Sequence, residues 1–394
     1  MRDLTNLKTF IIDSKDPKEI DDAFSLEFVE GDVKKLWIHI SNPCKLFLID
    51  SRIDIDARSK SSSMYLIDQY IPMLPIDIIN EANLNQNKIS ETISASIIFN
   101  DNGSIKKYEI VEAKIKPKYQ LTYEDAEEII ELEPKEELEI IEIKKLLINS
   151  INYRKTQGAI TFDMPNYKFI INEGIVEIKN IYKSISQTMV SETMILMGYV
   201  TSLFLNEQKI AIPYRTQKIN CDSEEILKKY KDSDIKYSIL KQYMGKSFVT
   251  TKANKHESLG LSMYTQCTSP LRRYLDLIVQ RQVFNHISNI ETLNLNKISE
   301  IIDISKNKQL EINNIYKNDK LKFLKIFFGN IKKSSYKIIF IKWINNKKSI
   351  ALVYFPEYSL ELLIILYISI ETYTNKIYKV KYNANDSNLL EFIH

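Results

Sequence analysis

Ile11-Ile12-Asp13-Ser14-Lys15-Asp16-Pro17-Lys18-Glu19-Ile20-Asp21-Asp22-Ala23-Phe24-Ser25 is the stretch on which the reading of this chain turns, with five carboxylates in the ten positions from 13 to 22. Apolar residues lead in from Thr9 and out through Phe28, so both flanks predict strands, and Pro17 puts the acids on a loop pinned at each end. Four or five carboxylates held within a few ångströms raise one another's pKa, and a divalent cation with oxygen ligands removes the conflict. Mg²⁺ fits such a set, because it takes carboxylates and water and bridges to phosphate oxygens. A solvated acidic turn is the plainer alternative. Against it stand Asp13 closing one strand and Asp21-Asp22 opening the next, which aim several oxygens at one point.

Far along the chain come His256-Glu257-Ser258-Leu259-Gly260-Leu261, Tyr264, and then Thr268-Ser269-Pro270-Leu271-Arg272-Arg273-Tyr274-Leu275-Asp276-Leu277. Ser269 as a cap and Pro270 as first helical residue predict a helix to about His286, with Arg272 and Arg273 in its first turn. A purely structural helix favours acids at that end. Pairing of Arg272 with Asp276, four residues on, accounts for only one of the two arginines. Planar, permanently charged forks beside free N–H groups suit a phosphate or its transition state.

These two stretches together resemble the catalytic domain of the ribonuclease II and ribonuclease R family, the RNB exoribonucleases. The order of intermediate segments supports the resemblance: Trp37-Ile38-His39-Ile40, Arg58 to Ser63 with Tyr65, Ile71-Pro72-Met73-Leu74-Pro75, Gly158-Ala159-Ile160-Thr161-Phe162-Asp163, Val190-Ser191-Glu192-Thr193-Met194-Ile195 and Pro213-Tyr214-Arg215-Thr216-Gln217. It spans about residues 9 to 290. It implies an α+β fold, a mixed sheet surrounded by helices, and a Mg²⁺-dependent hydrolase that threads single-stranded RNA by its 3′ end and releases 5′-mononucleotides. Matched positions put metal coordination on Asp13, Glu19 and Asp22, hydrolysis on Asp21, and charge stabilisation at the phosphate on Arg272, with Arg273 also on substrate. Tyr65 and Phe162 match base-stacking positions, and Tyr123 and Glu192 match positions linked to sugar recognition. Three departures stand out. No cold-shock-type barrels precede the loop, which begins about ten residues from Met1, so an outer RNA clamp is expected to be missing. Glu19 stands where many members have Asp, and Asn42 replaces an acid common after His39-Ile40-Ser41. An RNA-binding protein on a decayed nuclease scaffold and a short-oligonucleotide phosphodiesterase are the competing expectations.

The remaining sequence sets the frame. At 394 residues the chain exceeds what one hydrophobic core usually organises. The expected division is a catalytic domain over 1–310 and an OB-like barrel over 320–394. Between Tyr123 and Leu147 apolar residues recur at helical spacing behind a capping pair, Thr122 and Asp125, and an uncharged Met-rich helix with Glu192 as its single acid is expected from Ser186 to Asn206. After Lys306 lysines concentrate, including Lys308, Lys317, Lys320, Lys322, Lys325, Lys332, Lys333 and Lys348. Alternation through Tyr336 to Trp343, a turn at Asn345-Asn346, and runs over Ser349 to Phe355, Leu360 to Ile368 and Ile377 to Tyr382 predict the small barrel, a diverged form of the family's RNA-binding barrel. The net charge of +3 names no partner, and three dispersed cysteines exclude a disulfide framework and a cysteine zinc site. The longest apolar run, Leu360 to Ile370, is short of the roughly 20 residues a bilayer needs. Neither a membrane nor a stable protein partner is expected. The N-terminus carries no readable leader, and heavy use of Ile, Asn, Lys and Tyr suggests an AT-rich genome, so a plastid or a bacterial cytoplasm is the expected compartment.

Overall fold

The computed structural model describes all residues except 32, 332, 346, 348, 368–372, 385–388 and 394. Lys332 and Lys348 of the lysine-rich span, Asn346 of the expected turn, and the Ile368 to Ile370 end of the apolar run lie outside the described residues. In chain order the first elements are β1 (Arg2–Asp3), β2 (Thr9–Asp13), β3 (Asp22–Val29), β4 (Val33–Ser41), α1 (Arg52–Lys60), β5 (Met64–Tyr65), β6 (Tyr70–Ile71), α2 (Ile76–Ala82), β7 (Ser90–Phe99), β8 (Ile105–Ile115), β9 (Tyr119–Thr122), α3 (Tyr123–Leu132) and α4 (Leu138–Thr156). Seven strands form one sheet in the order β1-β8-β7-β4-β3-β2-β9. Its interior is antiparallel, while β1 on β8 and β9 on β2 pair in parallel, so the sheet is mixed as expected.

Period-two alternation decides the two faces. Phe10, Ile12, Phe24, Leu26, Leu36, Ile38, Ile40, Ile93 and Ile97 point into the largest core, against α3, α4 and two later helices, α5 (Ile185–Glu207) and α8 (Tyr274–Ile287). The opposite face holds a smaller cluster around Ile11, Ala23 and Trp37. It also holds a buried hydrogen-bonded row in which His39 contacts Ser25 at 2.9 Å and Ser94 at 2.8 Å. By length and composition α5 could cross a membrane, but Met189, Leu196, Met197, Val200 and Leu205 bury it in the core.

A hairpin, β10 (Asn166–Asn172) and β11 (Ile175–Ile181), follows α4, and β12 (Tyr214–Thr216), α6 (Ser223–Lys229), α7 (Lys236–Tyr243) and β13 (Phe248–Thr250) lead to α8 (Tyr274–Ile287). Helix α8 starts at Tyr274, not at Pro270 as its sequence suggests. The physical reason is that residues 269–273 close only one turn, with Arg272 and Arg273 N–H both on the Ser269 carbonyl, while neighbouring N–H groups are drawn to other acceptors. Ser269 N–H donates to the Asp276 carboxylate, Leu271 N–H to Asp21, and Tyr274 N–H to the Ser61 carbonyl. Arg272 and Arg273 therefore lie on a turn before the helix instead of in its first turn.

Helix α9 (Leu295–Asn330) runs 36 residues without a break through positions 310 to 320. Five strands after it, β14 (Tyr336–Trp343), β15 (Ile350–Phe355), β16 (Leu360–Tyr367), β17 (Ile377–Asn383) and β18 (Leu390–Ile393), close a barrel in the order β14-β15-β16-β18-β17. Ile298 and Ile301 at one end of α9 pack with Leu271, Tyr274 and Leu277. Phe323, Leu324, Phe327 and Phe328 at the other end enter the barrel core, where Val176 of the hairpin joins them.

Candidate active site

The site grows from one end of the main sheet. Strands β2 and β3 pair only at Thr9 with Ser25 and Phe10 with Phe24, so beyond Phe10 they part and the acidic loop closes the gap between them. Asp13 is then aligned with Thr122 on one side and Asp22 with Ile40 on the other, which brings the loop, the start of α3 and the end of β4 together. Asp16 sits at the turn with φ of 56°, a conformation Asp tolerates, and it is exposed to solvent. Four of the five loop carboxylates thus face inward.

Asp21 is 2% exposed and its two oxygens are committed separately. Oδ1 accepts Leu271 N–H at 2.9 Å, and Oδ2 accepts Arg272 Nε at 3.2 Å. Burial pushes its carboxyl up to about 6, against the pull of Arg272 and the Leu271 N–H. Asp22 is half-buried and pushed up to about 7 by burial and then by Asp21 and Asp13, and it accepts no hydrogen bond among the described residues. Asp13 is raised by burial, against the opposing bond from Ser14 N–H at 2.6 Å. Tyr123 faces the same pair, its phenol pushed up to about 12 by burial and by Asp13 and Asp22.

Glu19, expected as a metal ligand, accepts the Ser63 hydroxyl at 2.7 Å and the Tyr65 hydroxyl, and burial pushes it up to about 7. The sequence did not signal these hydroxyl partners. The Tyr70 phenol lies beside Glu19, its pKa raised by burial and next by the charge of that carboxylate. Asp13 and Asp22 fit a divalent cation: two neighbouring carboxylates held above their ordinary pKa, one lacking any donor, call for positive charge. Among the described residues no three acidic, histidine or cysteine side chains are gathered as a ready-made cage. Mg²⁺ characteristically takes only one or two carboxylates and fills its shell with water and phosphate oxygens.

Arg272 keeps both Nη atoms free of protein acceptors among the described residues, and Arg273 pairs with Asp276 at 2.6 Å. Tyr65 is 43% exposed, with its ring 5.2 Å from that of Tyr70. Phe162 is half-buried between Tyr237, 5.4 Å away, and the Lys241 ammonium, 6.0 Å from its ring centre. A cavity of about 680 Å³ joins Phe162 and Tyr123 to Tyr167, Lys183, Lys241 and Lys320. Lys183 and Lys241 were missed because they lie outside every motif. Only the fold brings them together.

Glu192 lies in a buried ion pair. It is 2% exposed, and its carboxylate takes Arg154 Nε at 2.9 Å, Arg154 Nη2, and the Ser150 hydroxyl at 2.8 Å. Arg154 in turn donates to the Leu259 carbonyl at 2.7 Å and accepts Ala159 N–H at 2.9 Å. Both oxygens of Glu192 are engaged by Arg154, whose backbone carbonyl also holds the start of the loop that carries Phe162.

Residues 1–289 match the family model described as the RNB domain. An uncharacterized ribonuclease of Synechocystis is 34% identical over 284 residues, covering 71% of this chain and 43% of the relative. The chloroplastic/mitochondrial ribonuclease II of Arabidopsis thaliana is 29% identical over 289 residues, covering 71% and 36%. This chain thus spans less than half the length of either relative. Among solved structures, Mycoplasma genitalium RNase R in complex with ribose-methylated single-stranded RNA superposes with a TM-score of 0.84 at 19% identity, over 100% of this chain and 71% of that one. With the acidic loop, the Thr268 to Tyr274 turn and the mixed sheet all in place, the chain belongs to the RNB domain family.

Proposed function

We propose that this protein is a 3′ to 5′ exoribonuclease that hydrolyses single-stranded RNA to 5′-mononucleotides with Mg²⁺. The observation that carries this reading is the Asp21 bridge to Arg272, set beside the facing pair Asp13 and Asp22. Asp13 and Asp22 would hold the ion, which when bound supplies positive charge at the phosphate oxygens and acidifies a water. Asp21 fixes Arg272 through Nε, so the two Nη groups are oriented toward charge that develops on a phosphate. Glu19 anchors the Tyr65 hydroxyl and thereby the ring at the outer side of the site. Tyr123, beside Asp13 and Asp22, is the side chain placed to meet a ribose hydroxyl. The cavity with Lys183, Lys241, Lys320, Phe162 and Tyr167 has the character of a single-strand platform, charge for the backbone and rings for the bases. A plastid or a bacterial cytoplasm as the compartment accords with the plant and cyanobacterial relatives.

The test uses RNA labelled at the 3′ or the 5′ end, with Mg²⁺ or EDTA. Early release of the 3′ label as mononucleotide, a shortening ladder from the 5′ label, and loss of both in EDTA are expected. Binding without any cleavage in Mg²⁺ would leave only an RNA-binding scaffold.

A further inference from the structure

The segment Pro213-Tyr214-Arg215-Thr216-Gln217 has no part in the chemistry described so far. Arg215 lies in β12, paired with Val249 of β13, and its N–H donates to the Tyr264 carbonyl at 2.8 Å. Its side chain makes two bonds, Nε to Ser247 Oγ at 3.0 Å and Nη1 to Gln266 Oε1 at 2.8 Å. Both acceptors are neutral. Among the described residues Arg215 has no carboxylate in ion-pair contact, whereas Arg272 has Asp21 and Arg273 has Asp276. Arg215 is half-buried, and its guanidinium is lowered first by burial and next by the positive charge of Arg273. Arg273 for its part keeps a buried Nε that donates to nothing. Of these three arginines, Arg272 and Arg273 each touch an acid, and Arg215 touches none among the described residues. Leaving a guanidinium partly buried without a counter-charge is costly unless an anion completes the set.

We propose that Arg215 and Arg273 form a second phosphate site, taking an RNA backbone phosphate next to the one that Arg272 faces. Arg215 Nη2 and Arg273 Nη1, which donate to no protein acceptor among the described residues, suit two oxygens of one phosphate. The site rests on the nuclease reading for the nature of its ligand, and its own content is the position of a second contact.

The measurement is the affinity of Asp21→Asn protein for short single-stranded RNAs that each carry one neutral methylphosphonate, moved stepwise from the 3′ end. The phosphate next to the scissile one should lose about tenfold in affinity, whatever other positions respond. In Asp21→Asn/Arg215→Met that loss should shrink to under about twofold, while losses elsewhere persist, as expected when the two partners of one contact are removed together. Arg215→Lys keeps the charge without the fork, so it should keep part of the loss, and it serves if the Met protein does not fold. An unchanged profile in a folded Arg215 variant, or no loss at that adjacent phosphate in the parent, overturns the second site. Failure of the parent to bind any of these RNAs would instead overturn the nuclease reading and the site with it.

Discussion

Asp21 holds a backbone N–H with one oxygen and an arginine with the other, so its charge and its shape do separate work. In Asp21→Asn the shape survives, but the carboxylate that orients Arg272 is gone. Hydrolysis should fall by at least about 100-fold, on the scale of losing one preorganised group at a developing charge. RNA affinity should stay within about twofold, because contacts along the strand are untouched. Retention of wild-type turnover by Asp21→Asn would remove this residue from the reaction. Asp22 and Glu19 add a pH signature. Their ordinary values of 3.8 and 4.5 rise to about 7 in the fold without a cation, so the folded protein keeps protons that the unfolded chain has released. Their contribution to stability is present below the unfolded values and is lost as pH rises through about 7. A cation at Asp13 and Asp22 competes with those protons, so the rise in Tm caused by Mg²⁺ should be larger near about pH 8 than near about pH 5.5, and absent in Asp22→Asn. Thermal melts with and without Mg²⁺ at both values decide this, and equal shifts would show that the ion binds elsewhere.

Helix α4 and helix α5 meet through Arg154 and Glu192, and what rests on that pair is the loop to Phe162. Removing one partner of a buried pair costs about 3–5 kcal/mol, because the other charge is left alone. Glu192→Ala should therefore lower Tm and weaken binding of RNA and DNA alike, with Arg154→Met/Glu192→Leu recovering part of the stability. A variant of normal stability that has gained activity on DNA would support sugar recognition by Glu192. The contrast shows which parts of the molecule could be read from local sequence. The strands around the acidic loop, the Thr122 and Asp125 capping box, the long α5 and the barrel strands carry periods and caps within a dozen residues, and they formed where those signals pointed. The turn at 269–273 and the partner of Glu192 did not, because their deciding contacts are distant: Asp21 lies 250 residues from Leu271, and Arg154 lies 38 from Glu192. The lone acid in an apolar helix announced a buried partner without saying which one.

Over the whole molecule the lysine-rich span is less of a single patch than its sequence suggests. Lys308, Lys322 and Lys333 are paired with Glu311, Asp68 and Glu357. Lys320 instead sits 4.9 Å from the Tyr167 ring and shares the cavity with Lys183 and Lys241. Replacing these three by Gln should flatten the dependence of log affinity on log salt by about two units for a single strand. Filter binding across a salt series measures it, and an unchanged slope would place the backbone contacts elsewhere. Cutting the chain at 320 would be a poorer test, since Phe323 to Phe328 and the hairpin residues Tyr167, Phe169 and Val176 share one core with the barrel. Helix α9 is what makes the two ends of the molecule keep phase. At about 1.5 Å and about 100° per residue, its 36 residues set both the distance and the angle at which the barrel meets the hairpin. Deleting the exposed Asn314 would turn Phe323 and everything beyond it by about a quarter of a revolution, away from the core it fills. Amino-acid identity along the outer face of α9 is therefore free to drift while its length is not, and a deletion that touches neither carboxylates nor arginines should abolish soluble protein as surely as the loss of the barrel.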